Sequence, residues 1–197
     1  MSAGLTFHET MSGPVALGAI DPESGAASTA AAELAIHCEI TIDDIDLFVA
    51  DKEHTGTIAG SVDYAPFAQG LAVTSGTFNL FSPGASPEER IMAYRLGFEH
   101  DGKAYFLAGR KHVRDDPGFD IWKDTTTLYS VLYEGPDEAG PTVGAGILSL
   151  GVEALARMVS TMRPTNGGLE PMIKFGQLFL GSLWETYGAD KVGKEST

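Results

Sequence analysis

Residues 92–113 read MAYRLGFEHDGKAYFLAGRKHV, and this run decides the fold class. Asp101-Gly102 stands between two alternating segments. A tight type I′ turn needs positive φ at both central positions, and Asp-Gly supplies it. The outgoing strand sets Met92, Tyr94, Leu96 and Phe98 on one face, with Ala93, Arg95, Gly97 and Glu99 on the other. The return strand, 103–113, sets Phe106, Arg110 and His112 against Tyr105, Leu107, Lys111 and Val113. An antiparallel hairpin follows, in the middle of the chain.

The same period of two extends in both directions. Residues 34–42 alternate Leu34, Ile36, Cys38, Ile40 and Ile42 with Ala35, His37, Glu39 and Thr41. Residues 5–13 open a first strand, with Phe7, Glu9 and Met11 in register. Further strands are expected at 55–62, at 71–81 with a break at Ser75 and Gly76, at 125–133 and at 142–150. Gly60 permits the bend or bulge that a barrel needs. Residues 18–32 read as a loop, in which Ala-rich 26–32 is a candidate helix. Asp43 is expected to cap a short helical turn over 44–50.

After residue 150 the period changes to that of a helix. Val152, Leu155, Val159 and Met162 are in phase over 152–162, and Leu169, Met172, Ile173, Gly176, Phe179 and Leu180 over 169–187. No βαβ alternation precedes the helices, which excludes a doubly wound sheet. The reading is a mainly β chain: an antiparallel β-barrel of about eight strands, lipocalin- or calycin-like, with C-terminal helices. A two-sheet sandwich is the alternative. Residues 1–190 form one domain and 191–197 a tail.

Composition narrows the function. The formal net charge of −14 over 197 residues argues against nucleic acid and anionic membrane surfaces, which repel an acidic protein. Cys38 is the only cysteine, so neither an internal disulfide nor a cysteine zinc site is expected. No run approaches the roughly 18 apolar residues of a membrane span, and the N-terminal residues lack a signal-peptide pattern, so a cytoplasmic location is expected. No G-x-G-x-x-G sits between a strand and a helix. No P-loop, G-x-S-x-G or H-E-x-x-H is present, and no cofactor or metal is expected.

Polar residues on the strands supply the candidate sites. The interior of a barrel this size is either filled by side chains or holds one small ligand. A hydrophobic small molecule would be lined by Tyr94, Phe106, His112 and Tyr129, with Trp122 at the mouth. A small barrel enzyme, of cyclase or isomerase type, would use His112 or Glu9 as acid and base, and Arg95 or Arg110 to stabilise an oxyanion. An interaction domain would dock through Phe119, Trp122 and the last helix. The run Asp115-Asp116-Pro117-Gly118 is turn chemistry, which favours a tied corner there.

Several blocks resemble a known region. These are FHETMSG (7–13), IDDIDLFVAD (42–51), GTFNLF (76–81), YRLGF (94–98) and DDPGFDIWKDTTTLY (115–129). Together they look like an accessory region of bacterial polypeptides carrying a cholesterol-oxidase-like GMC flavoprotein module, often with an α/β-hydrolase module. The resemblance runs from about Phe7 to Tyr187, and the block at 115–129 is its most specific part. The chain lacks the flavin-binding glycine fingerprint and the nucleophile elbow, so no flavin role carries over. The resemblance implies a stand-alone accessory β-domain that binds, presents or shields a lipid- or sterol-like molecule, acting with an oxidoreductase partner.

Overall fold

The computed structural model describes residues 2–86, 89–114, 126–166 and 168–188. Asp115 to Thr125, with Phe119 and Trp122, and the tail after 188 lie outside the described residues.

Eight strands run as successive antiparallel neighbours: β1 (Leu5–Leu17), β2 (Ala32–Ile42), β3 (Thr55–Tyr64), β4 (Ala68–Pro83), β5 (Glu89–His100), β6 (Lys103–Arg114), β7 (Thr127–Glu134) and β8 (Thr142–Ser149). β1 pairs with both β2 and β8, which closes the sheet into a barrel. Closure removes the exposed edges a sandwich would leave. The Asp101-Gly102 turn has φ of 50° and 74°, and it pairs His100 with Lys103. The remainder of the β5–β6 register follows from that turn.

Inward positions carry the core. Leu34, Ile36, Cys38, Ile40 and Ile42 are all buried, as their alternation predicts. The end of the barrel near the β5–β6 turn is closed by aromatics. Phe67 stacks on His100 and lies against Tyr64 and Tyr105, and Tyr64 Oη donates to the Val15 carbonyl at 3.1 Å. β3 is irregular at Gly60. That residue has φ +136°, and the pairing with β4 shifts register between Thr57 and Ser61. The expected break at Ser75 and Gly76 is instead a register shift within one continuous β4, because a bulge absorbs the extra residue without ending the strand.

Two small helices differ from expectation. α1 spans Pro22–Ala26, and residues 27–31 are not helical. Asp21 supplies the N-cap by accepting from the Ser24 N–H, and Pro22 sits at the first helical position, so the helix starts earlier than its alanines suggest. In α2 (Ile45–Ala50) the cap is Asp44, not Asp43. Its Oδ1 accepts from the N–H groups of Asp46 and Leu47 at 3.0 and 3.1 Å.

The C-terminal helices are α3 (Val152–Thr161) and α4 (Glu170–Gly188). Between them β9 (Arg163–Pro164) pairs with Leu5 and Thr6. β8 takes the same edge of β1 only from Ser12 onward. The stretch of β1 between these pairings is met by the end of α3, where the His8 N–H donates to Thr161 Oγ1 at 3.0 Å. α4 is anchored by Phe175, whose ring lies 5.6 Å from Phe7 and 6.3 Å from Phe48. Lys174 adds ion pairs to Asp46 and Glu170. The face that packs overlaps only in part with the one the spacing selected: Phe179 lies against the core. Ile173 and Leu180 are exposed, and Phe175 is buried. The helix carries apolar residues on most sides, so periodicity alone does not choose a face.

Candidate functional site

A cavity of about 420 Å³ lies at the barrel end covered by α3 and α4. Barrel residues Phe7, Phe78, Leu80 and Met92 form its apolar wall, and Leu155 and Met158 of α3, Met162 just after it, and Phe175 and Phe179 of α4 form its roof. Val159 and Leu180 both line it while remaining 59% and 68% exposed, so the cavity reaches solvent between the two helices. Gly176 also lines it, and a side chain there would meet open space.

The floor is polar. Glu9, Tyr94 and Lys111 come together from β1, β5 and β6, and they are 4%, 1% and 1% exposed. Tyr94 Oη donates to Glu9 Oε2 at 2.7 Å. Lys111 Nζ lies 3.4 Å from Glu9 Oε1 and 3.4 Å from Tyr94 Oη, and 4.9 Å from the centre of the tyrosine ring. Each group faces inward because of strand register. Glu9 shares the inward face of β1 with Phe7 and Met11, while Tyr94 pairs with Gly109, two residues from Lys111 on the same face.

Burial, and then the Glu9 charge, push the Tyr94 phenol well above its ordinary range, so it stays protonated and acts as donor. Cys38 sits opposite Glu9 in the β1–β2 register. Burial, reinforced by Glu9, pushes its thiol up as well, leaving it an unreactive core residue.

Of the described residues expected at a site, only Glu9 and Tyr94 reach this cavity. Phe106, Arg110, His112 and Tyr129 lie on the outer face of the barrel, half-buried. The physical reason is the hairpin register. A two-residue turn that pairs His100 with Lys103 puts the odd residues of β6 on the face of Tyr94, and so Lys111 rather than His112. His112 Nδ1 pairs with Glu89 Oε1 at 2.9 Å, beside the Tyr129 ring. Arg95 and Arg110 share Glu138, with Arg95 Nε donating at 3.2 Å and Arg110 Nη2 at 2.5 Å, and Arg95 Nη1 also donates to Asn79 at 2.7 Å. Burial works against the ionised Glu138 carboxyl. The hydrogen bonds and charges of the two arginines outweigh it and hold that carboxyl below its usual range. These residues tie the β7–β8 loop to the barrel wall. Trp122 lies outside the described residues.

Lys111 is the member of the site that is absent from the candidates named from the sequence. The signal was present: an ionisable residue in register with Tyr105, Leu107 and Val113, on an otherwise apolar face. Such a residue is rarely buried without a partner.

Among the described residues no three His, Cys, Asp or Glu side chains come together as metal ligands. No described helix is long and apolar enough to cross a membrane. In comparison with known proteins, the chain matches no protein family, no curated sequence and no solved structure. The cavity is therefore interpreted from its own chemistry.

Proposed function

We propose that the protein is a binding barrel for a hydrophobic, lipid- or sterol-like small molecule, held in the cavity beneath α3 and α4. One observation carries this reading. A cavity of about 420 Å³, walled by aliphatic and aromatic side chains, opens to solvent between two helices and ends on a few buried polar groups. Small-ligand sites have this form, with volumes of roughly 300–1,000 Å³. An apolar molecule entering it leaves water, which is the dominant favourable term in such binding.

The acid/base reading is less well supported. Of Glu9, Arg95, Arg110 and His112, only Glu9 reaches the cavity, while the others are engaged on the outer wall. Cooperation with a GMC-type oxidoreductase rests on the sequence resemblance alone. Immobilised protein is expected to retain a purified flavoprotein of that class, and failure to do so at micromolar concentration removes the partner from the proposal.

The binding reading is tested by thermal unfolding with a panel of sterols and long-chain alcohols. A ligand at a hundred times its Kd stabilises the folded state by about 2.7 kcal/mol. For a chain of this size that raises Tm by roughly 5–10 °C. Gly176→Phe is expected to abolish the shift by filling the mouth. Replacing a helical glycine does not of itself weaken the helix, so the variant should unfold no earlier than the wild type. A panel that shifts neither protein, or both equally, refutes cavity binding.

A further inference from the structure

The polar floor also specifies what kind of molecule the cavity takes, given that it binds one. Tyr94 has a single proton, and it is directed to Glu9. Glu9 accepts from both Tyr94 and Lys111. Lys111 has three N–H donors and makes two hydrogen bonds, each at 3.4 Å, longer than a charge-assisted bond of good geometry. The spare donor capacity of the trio therefore resides on Lys111, a residue in the cavity wall.

Charge sets the second constraint. Glu9 and Lys111 neutralise each other and are the only charged residues among the described lining. A carboxylate ligand would bring a net negative charge into a site whose described lining holds no second cation. A pure hydrocarbon would leave the ammonium no new acceptor. A neutral oxygen acceptor takes the donor and adds no charge.

We infer that the cavity selects an apolar molecule bearing one neutral, hydrogen-bond-accepting oxygen, of the ketone carbonyl type, with Lys111 Nζ as its donor and Glu9 and Tyr94 holding Lys111 in place. A free fatty acid is disfavoured by the same arrangement. The inference rests on the binding function proposed above.

Three probes with twelve carbons separate the terms: cyclododecanone, cyclododecane and dodecanoate. Each is titrated against Nile red bound to the wild type and to the Glu9→Gln/Lys111→Met double variant, whose fold is verified by near-UV circular dichroism. The ketone is expected to bind the wild type at least tenfold more tightly than either of the other two. In the double variant that preference should vanish while cyclododecane binds as before. Equal affinity for ketone and hydrocarbon in the wild type, or tighter binding of dodecanoate, overturns the selectivity and leaves the binding barrel standing. This arm needs no variant. If none of the three displaces Nile red from the wild type, the binding function itself fails, and the selectivity with it.

Discussion

Lys111→Met is expected to destabilise the protein by about 3–5 kcal/mol, because it leaves the buried Glu9 carboxylate without its cation. For a chain of this length the loss lowers Tm by roughly 6–20 °C. The methionine keeps the length of the lysine stem, so little of the effect comes from an empty volume. The double variant Glu9→Gln/Lys111→Met removes both charges at once, and neutral replacement of a buried pair is often tolerated. It should therefore unfold at a higher temperature than the single variant, even though it carries one more substitution. Denaturant titration of wild type, both singles and the double gives the coupling energy directly. A single variant within about 1 kcal/mol of the wild type, or a double whose loss is the sum of the singles, would show that the pair is not coupled.

Gly60→Ala should cost roughly 2–6 kcal/mol, although it adds one methyl group. Two independent penalties combine. The residue has φ +136°, where side chains other than glycine are strained by about 1–3 kcal/mol. A Cβ built there would also lie 1.9 Å from the His37 carbonyl oxygen, so the β2 backbone has to move, with an overpacking cost of about 1–3 kcal/mol. Gly70→Ala is the control. It too has positive φ, at 68°, but its Cβ would meet nothing within 4 Å, so only about 1–2 kcal/mol of backbone cost is expected. Urea unfolding of both variants decides the matter. If Gly60→Ala proves no worse than Gly70→Ala, close approach of β2 and β3 is not what requires a glycine.

Gly60 and Lys111 occupy related places. Gly60 pairs with Cys38, and Cys38 pairs with Glu9, so the irregular point of β3 is joined through β2 to the polar floor. A variant that displaces the β2 backbone at His37 and Cys38 is thus expected to disturb Glu9 as well as stability.

Local order was determined by the sequence alone. Side chains on a strand alternate with a strict period of two, so 34–42 declared its buried face, and Asp-Gly declared its turn. Gly60 marked a bend or bulge, and the β3–β4 register shifts beside it. The face shared by Tyr94 and Lys111 was also legible, since a two-residue hairpin turn fixes register. Chemical type groups Tyr94 with Phe106 and His112, but the turn puts them on opposite faces.

Tertiary structure alone decided the rest. Closure depends on β1 meeting β8, a pairing of residues more than a hundred positions apart that no local pattern encodes. The same closure brings Glu9 to Lys111 across the barrel. Arg95 and Arg110 looked available for chemistry until the β7–β8 loop delivered Glu138 to both. α4 has no single apolar face to read, so its contacts with Phe7 and Phe48 set its orientation, and with it the roof and mouth of the cavity. Alternation fixes which side of its own strand a residue takes. Which residues then face each other across a closed barrel is set by long-range pairing, and the buried polar floor exists only once that pairing is made.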